Sequence, residues 1–186
     1  MRIISGELKG RSIKFLKNSV TRPLKDNVKE SIFNILKHSK FLKVGVNNSN
    51  VLDVYSGIGS FGIECISRDA KKVTFVEENS TASKFLNQNL VNLSIAHKTN
   101  IFNDKIENIL PQISKEKFNI FFFDPPFADS GFTKIIESVK KGKLFKKDHV
   151  VIIHRERKTK DKLENLINIS EVKFYGRSKI IFGEFN

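Results

Sequence analysis

The sequence predicts an α/β fold, a Rossmann-like sheet that is mostly parallel and carries helices on both faces. Three observations favour it. Apolar runs of strand length alternate with segments of helical periodicity from about residue 46 onward. A glycine-rich turn at residues 57–62 directly follows the first of these runs. The fourth run, residues 119–123, is apolar on both faces, as expected of a central parallel strand.

The N-terminal part of the chain is predicted to be a small basic β-hairpin, within residues 1–20, followed by a helix. Asp26 can cap this helix, and apolar residues at three- and four-residue spacing form one helical face: Val28, Ile32, Ile35 and Leu36. We predict that residues 1–45 form an RNA-binding extension packed on a core of residues 46–186, within a single compact domain.

The core is predicted to contain five parallel strands and a closing antiparallel hairpin. The strands are residues 51–55, 73–76, 98–102, 119–123 and 150–153, and the hairpin strands are 171–175 and 178–182. The helices are residues 61–67, 82–90, 106–110 and 132–139, followed by a polar helix marked by Leu163, Leu166 and Ile167. Open sheets of this type bind ligands beyond the carboxyl ends of their strands, where we expect the site.

Charge and composition limit the class of partner. The 186 residues include 33 Lys and Arg against 20 Asp and Glu, a net charge of +13, and the excess is marked in residues 1–30. Such a surface attracts a polyanion, so nucleic acid is the expected partner. The single cysteine, Cys65, excludes a Cys-rich zinc site, and the scattered histidines lack metal-ligand spacing, so we predict no metal. The histidines are His38, His97, His149 and His154.

Compartment is predicted from what the sequence lacks. No apolar run approaches the ~20 residues of a membrane span, and the first residues lack the apolar stretch of a signal peptide. We therefore expect a cytoplasmic chain with no membrane partner. Nothing in the sequence demands a dimer, so we expect a monomer.

The turn after the first strand carries the pattern G-x-G-x-x-G at Gly57, Gly59 and Gly62. Glycines there let the backbone turn tightly and let a ligand lie against it. The pattern alone also fits a strand–helix turn without a ligand, or a dinucleotide site with pyrophosphate at the helix N-terminus. Asp53, four residues before Gly57, favours a cation, because its carboxylate would repel pyrophosphate.

Other polar residues extend this candidate cofactor site. Glu77 closes the second strand, where a carboxylate can accept hydrogen bonds from both ribose hydroxyls. Asn103 or Asp104, after the third strand, can receive an adenine amine, but Asp104 can equally cap the next helix. With Ser56 in the glycine turn, these residues predict a site for S-adenosylmethionine, which carries an α-ammonium and a sulfonium.

The strongest signal is Asp124-Pro125-Pro126-Phe127, directly after the fourth strand. Two prolines cannot continue a sheet ladder, so the chain leaves the strand here with a stiff backbone. Asp124 and the Pro125 carbonyl can accept the two N–H bonds of an exocyclic base amine and orient its lone pair toward a methyl donor. Phe127 offers a face for a base taken out of its stack. An isolated copy would be an ordinary strand-ending turn with Phe127 in the core, but its place after the acidic and glycine-rich turn favours a catalytic site with Pro126 as part of its rigid frame.

The segments 53–62 and 124–127, with Glu77, resemble the Rossmann-fold class I methyltransferases that modify amino groups of bases. Within them, the chain resembles the bacterial 16S ribosomal RNA guanine-N2 methyltransferase family nearly end to end. Further matching segments are residues 2–11 (opening hairpin), 22–34 (first helix), 66–70 (the family's Ser-Arg-Gly-Ala turn, with Asp69 in place of the glycine) and 175–176 (closing hairpin). The resemblance implies methyl transfer from S-adenosylmethionine to guanine N2, with 16S ribosomal RNA or a small-subunit assembly particle as substrate.

Basic residues of the extension are the predicted RNA contacts: Arg2, Lys9, Arg11, Arg22, Lys25 and Lys29. Three other functions are weighed against this one. A DNA or RNA adenine-N6 methyltransferase also uses D-P-P-[YF], although no target-recognition domain follows the core. A nicotinamide-dependent oxidoreductase can use the glycine turn, but the chain lacks a catalytic His or Tyr pattern. A non-catalytic RNA-binding module would leave the cofactor pattern unexplained.

Overall fold

Seven strands form one sheet in the computed structural model, which describes residues 1–15, 24–129 and 131–186. In chain order the strands are β1 Asn50–Val54, β2 Lys72–Val76, β3 Thr99–Phe102, β4 Phe118–Phe123, β5 Phe145–Glu156, β6 Ile167–Tyr175 and β7 Ser178–Phe185. The order across the sheet is β3-β2-β1-β4-β5-β7-β6. Strands β1 to β5 pair in parallel, whereas β7 is antiparallel to both β5 and β6. The predicted fold class is confirmed.

Helices cover both faces of this sheet. They are α1 Asp26–His38, α2 Ser60–Ser67, α3 Ser80–Asn92, α4 Ile106–Ile109 and α5 Phe132–Lys141. Successive side chains of β4 point to opposite faces of the sheet and so contribute to both apolar layers. Ile120 and Phe122 join the apolar cluster under α1, α2 and α3. Phe121 and Phe123 join the cluster under α4 and α5. Across the described residues, no helix has the length and apolar content that crossing a bilayer requires.

The segment after β5 corrects one prediction, the polar helix marked by Leu163, Leu166 and Ile167. The structure has a turn there, and Ile167 begins β6. Leu163 and Ile167 are both buried, and their four-residue spacing is the same as that of residues on one face of a helix. Pairing with β7 supplies backbone hydrogen bonds over most of β6, and this tertiary ladder overrides the local pattern.

Residues 1–15 form an irregular hairpin with one antiparallel bridge, between Arg2 and Ser12. Ile3 and Ile13 are buried in the same cluster as α1 and α2. The predicted pairing is therefore present in part, and the remainder of the predicted hairpin lies outside the described residues. The start of α1 also differs from the prediction, since Lys25 occupies the cap position and Asp26 is the first helical residue, without a capping bond.

Glu64, on α2, holds this N-terminal segment. Its side chain is fully buried, and its two oxygens accept hydrogen bonds from the backbone N–H groups of Ile4 (2.8 Å) and Ser5 (2.9 Å). Arg68 Nε donates to the same carboxylate at 2.9 Å, and Lys29 Nζ lies 3.6 Å from it. A buried carboxylate is stable only when it is paired in this way, so the N-terminal segment and α2 depend on each other. The division of the chain at residue 45 stays a prediction.

Candidate active site

The carboxyl ends of β1, β2 and β3 and the loop before α5 border an open cavity of about 300 Å³. Among the predicted cofactor residues, Asp104 lines the cavity directly. Ser56 and Glu77 are the sequence neighbours of the lining residues Tyr55 and Glu78. The cavity lies at the carboxyl edge of the sheet, beside the predicted cofactor residues, but Asp53 and the three glycines of the turn do not line it.

The three glycines of the turn have different surroundings. Gly57 has a φ of 56°, and a Cβ built there meets nothing within 4 Å, so the open side of the turn is free for a ligand. A Cβ at Gly59 would lie 2.4 Å from Leu86 Cδ1, and one at Gly62 would lie 2.3 Å from Phe75 Cε1. Gly62 therefore supports the site by letting α2 approach β2, rather than lining the cavity.

Asp53 is buried at the end of β1, with 1% of its surface exposed. Its Oδ2 accepts a hydrogen bond of 3.0 Å from the Gly62 N–H, which ties β1 to the first turn of α2. Burial raises the pKa of the Asp53 carboxyl well above its ordinary value; the Gly62 N–H opposes this rise, and the Asp124 and Glu77 carboxylates add to it. Three carboxylates from neighbouring strands thus share one small region.

Glu77 bridges the two loops beside the cavity. Its Oε2 accepts from the Gly57 N–H at 2.6 Å and its Oε1 from the Asn79 N–H at 2.8 Å. Burial raises the pKa of the Glu77 carboxyl, and these two N–H groups oppose the rise. The Asn103 amide donates to the carbonyls of Glu77 (2.8 Å) and Glu78 (3.2 Å), so the structure commits Asn103 to the loop.

Asp104 lies just before α4, and Lys105 occupies the cap position of that helix, so Asp104 is not the N-cap that the sequence allows. Its Oδ1 accepts from the Lys105 N–H at 2.7 Å and from Asn108 Nδ2 at 2.9 Å, at the start of α4. The hydrogen bond from Asn108 is the main cause that lowers the pKa of the Asp104 carboxyl. The same residue lines the cavity, so a bond to adenine stays a prediction compatible with its position.

The residues around the turn fit a polar, cationic cofactor. The Ser56 hydroxyl is buried and, within the described parts of the chain, has no hydrogen-bond partner. Leaving such a group unpaired costs about 1–3 kcal/mol, which a ligand atom can offset. A positive charge would also relieve the mutual repulsion of Asp53, Glu77 and Asp124. A pyrophosphate would add negative charge to this region.

The predicted reacting end is the turn after β4. The Asp124 side chain is 23% exposed, and its Oδ1 lies 2.7 Å from His154 Nδ1 on β5. Pro125 is buried and Pro126 exposed. Phe127 is half-buried, and its ring meets the His154 ring edge-on at a centroid distance of 5.6 Å. The acceptor carboxylate and the proposed stacking ring therefore share one neighbour, His154.

Arg155 holds the other side of this turn. It is 2% exposed and donates to the carbonyls of Pro126 (3.0 Å), Phe127 (3.3 Å) and Asp129 (3.1 Å). Its guanidinium pairs with Asp161 at 3.1 Å. His154 and Arg155 are not among the predicted catalytic residues, although their place at the carboxyl end of β5 is a usable signal.

The predicted RNA contacts divide into three groups. Arg2, Lys9, Arg11 and Lys25 are exposed. Arg22 lies outside the described residues. The prediction for Lys29 is wrong, because its side chain is fully buried and its ammonium donates to the Arg2 carbonyl beside Glu64.

The sheet order, the acidic strand ends and the Asp-Pro-Pro-Phe turn define a Rossmann-like methyltransferase. Within residues 1–15, 24–129 and 131–186, no cluster of His, Cys, Asp or Glu is arranged to hold a metal ion. A family model described as "Conserved hypothetical protein 95" matches residues 1–184, and the chain belongs to this family.

Named relatives agree with this class. The chain is 33% identical over 156 residues to "Ribosomal RNA small subunit methyltransferase D" of Buchnera aphidicola, covering 84% of this chain and 78% of the relative. It is 29% identical over 159 residues to "Putative rRNA methyltransferase YlbH" of Bacillus subtilis, covering 84% and 83%. A solved structure described as "Putative methyltransferase yhhF from Escherichia coli" has a TM-score of 0.84 at 24% identity, covering 100% and 98%. The family resemblance read from the sequence is confirmed.

Proposed function

We propose that this chain transfers a methyl group from S-adenosylmethionine to the exocyclic N2 amine of a guanine in 16S ribosomal RNA of the small subunit. The observation that carries the proposal is Asp124, a partly exposed carboxylate at the carboxyl end of the central strand, beside the acidic end of β1. The named relatives support ribosomal RNA as the substrate class.

The cofactor is held by residues of the glycine turn and the next two strand ends. The buried Ser56 hydroxyl has no hydrogen-bond partner among the described residues, and Gly57 leaves open space on the turn. Each Glu77 oxygen has one N–H partner and keeps a lone pair for a ribose hydroxyl. Bound S-adenosylmethionine supplies an electrophilic methyl group on a positively charged sulfur.

The amine needs help because its lone pair is delocalised into the guanine ring. Asp124 accepts one N–H and the Pro125 carbonyl accepts the other, which localises and aims the lone pair. The structure supports this division of acceptors. Arg155 occupies the carbonyls of Pro126 and Phe127, whereas no donor in the described residues bonds to the Pro125 carbonyl. The new C–N bond would form as the C–S bond breaks, with the bonding pair left on the sulfur of the departing thioether, and the acidic ammonium product would then give its proton to water.

RNA is engaged by phosphate contacts and by stacking. The exposed basic residues Arg2, Lys9, Arg11 and Lys25 supply the positive surface of the extension. Phe127 supplies a ring next to the acceptors for the extruded base. The chain acts as a monomer in the cytoplasm, the compartment in which its ribosomal substrate is assembled.

The product nucleoside tests the proposal. Purified chain is incubated with methyl-labelled S-adenosylmethionine and either small-subunit RNA, small-subunit assembly particles or large-subunit RNA as the control. Digestion and mass spectrometry should find N2-methylguanosine from a small-subunit substrate alone. A product of N6-methyladenosine would replace the proposed reaction by the adenine alternative, and no transfer to any RNA would remove the proposal.

A further inference from the structure

The end of β5 supports the Asp-Pro-Pro-Phe turn from both faces of the sheet. His154 continues the alternation of Val150 and Ile152, on the face covered by α1 and α2. Arg155 continues the alternation of Val151 and Ile153, on the opposite face. One residue reaches the Asp124 side chain, while the other reaches the backbone carbonyls that follow. Arg155 fixes the backbone of the loop after Asp124, whereas His154 contacts the Asp124 carboxylate and can fix its orientation.

The surroundings of His154 assign the proton on its ring. Nδ1 lies 2.7 Å from Asp124 Oδ1, so a proton on Nδ1 makes a charge-assisted hydrogen bond. Nε2 is buried and has no partner among the described residues. A proton on Nε2 would be a buried donor without an acceptor, and it would turn the lone pair of a neutral Nδ1 toward the carboxylate. The neutral ring with the proton on Nδ1 is the form that fits.

Asp124 needs such a restraint because of its neighbours. The carboxylates of Asp124 and Asp53 are close enough for Asp124 to raise the pKa of Asp53. Repulsion between the two carboxylates therefore favours rotation of the Asp124 side chain toward solvent, to which it is partly exposed. A donor on Oδ1 fixes the side chain and leaves Oδ2 for another partner.

We propose that His154 is a positioning residue for methyl transfer, whose Nδ1–H holds Asp124 Oδ1 so that Oδ2 accepts the N–H of the base amine. This inference rests on the proposed function. His154 itself touches neither the base nor the cofactor. Its effect is on the orientation of the acceptor, and so on the chemical step rather than on the affinity for either ligand.

Packing alone does not explain a histidine here. The residue is 9% exposed, and an apolar side chain of similar size would fill the space without burying an unpaired Nε2. His154→Leu keeps the volume and removes the donor, whereas His154→Asn keeps an N–H donor near the position of Nδ1. The two variants separate volume from hydrogen bonding.

His149 is a matched control on the same strand. It is also buried, with Nδ1 at 2.8 Å from the Lys146 carbonyl and Nε2 accepting from the Phe185 N–H at 2.9 Å. Five residues of strand place it roughly 16 Å from His154. His149→Leu should lower thermal stability and leave single-turnover methylation at the parent rate.

The experiment is single-turnover methylation with saturating cofactor and RNA, beside titrations of each ligand. His154→Leu should fold, bind both ligands within about threefold of the parent, and methylate roughly 10- to 100-fold more slowly. His154→Asn should recover most of that rate. An active parent with an equally fast His154→Leu would overturn the inference, as would a loss of ligand affinity that matches the loss of rate.

A spectroscopic readout separates this inference from the proposed function. In protein labelled with ¹⁵N-histidine, the His154 resonances, assigned by their loss in His154→Asn, should report a protonated Nδ1 and an unprotonated Nε2 at neutral pH. A proton on Nε2 would overturn the inference whatever the enzyme methylates. Failure of the proposed function appears elsewhere, as a parent that forms no N2-methylguanosine.

Discussion

The two ends of the proposed active site are supported in different ways. At the cofactor end, the carboxylates of Asp53 and Glu77 bind backbone N–H groups of the glycine turn and the adjoining loop, at most 20 residues away in sequence. At the reacting end, Asp124 is held by a side chain 30 residues away, on another strand. The cofactor end is thus built mainly from local turns, whereas the reacting end depends on the register of β4 against β5.

This difference separates the expected effects of substitutions. Changes at the cofactor end should alter affinity for S-adenosylmethionine and the stability of the turn. Changes at the reacting end should alter the chemical step while the cofactor still binds. The following experiments test that separation, beginning with the largest expected effect.

Asp124→Ala should lower the single-turnover rate by on the order of a hundredfold or more, because it removes one well-placed acceptor for the amine. Its affinity for cofactor should stay near that of the parent, since Asp124 is proposed to face the base rather than the cofactor. The rate and a cofactor titration are measured on the same preparation. A variant that loses cofactor binding as severely as turnover would place Asp124 at the cofactor end instead.

Glu77→Ala should weaken cofactor binding by roughly 1–3 kcal/mol, the cost of losing hydrogen bonds to a charged acceptor. Isothermal calorimetry measures the affinity, and circular dichroism checks the fold. Glu77→Gln, which keeps one carbonyl acceptor, should fall between the alanine variant and the parent. Unchanged affinity in a folded Glu77→Ala protein would remove Glu77 from the cofactor site.

The features of the cofactor end could be predicted from the sequence, whereas the support of the reacting end could not. The acidic strand ends and the glycine pattern are local features, and the sequence located them at residues 53–62 and at Glu77. His154 and Arg155 act on the catalytic turn only after β5 pairs with β4, and no local spacing reveals that contact. The polar helix expected at residues 163–167 failed for a related reason, because pairing with β7 decides the conformation of this segment.

Two glycines of the same turn offer a comparison within the cofactor end. Gly62→Ala should lower the free energy of unfolding by roughly 1–3 kcal/mol, because its Cβ would overlap the Phe75 ring. Gly57→Ala should cost about 1–2 kcal/mol, from its positive φ alone, and should mainly weaken cofactor binding. Urea unfolding and calorimetry measure the two effects. Equal losses of stability and of cofactor affinity in the two variants would contradict the separate roles of Gly57 and Gly62.

The basic extension is tested by surface substitutions, since deletion would unpair the buried Glu64. Arg2→Gln combined with Lys9→Gln should weaken RNA binding and reduce the slope of log affinity against log salt. Each lost phosphate contact should reduce the slope by about 0.7–0.9. Lys115→Gln, an exposed lysine outside the extension, is the control. A double variant with the parent slope would remove these residues from the RNA surface.

Asp53→Asn should have the smallest effect, a gain of about 1 kcal/mol in the stability of the cofactor-free protein at neutral pH. The pKa of Asp53 is higher in the folded protein than its value of about 4 in the unfolded chain. Asp53 therefore contributes less to the free energy of unfolding as the pH rises from about 4 through the folded pKa. Asparagine keeps an acceptor for the Gly62 N–H and carries no charge. Urea unfolding at about pH 5 and about pH 8 should show the gain growing with pH; a gain that shrinks would contradict the burial argument.

The most direct test of the central claim is mapping of modified nucleosides in small-subunit RNA from cells that lack this gene. Deletion should remove N2-methylation from one guanine, the parent gene should restore it, and a gene carrying Asp124→Ala should not, although that protein accumulates and binds cofactor. Unchanged guanine methylation after deletion, or full restoration by Asp124→Ala, would contradict the account.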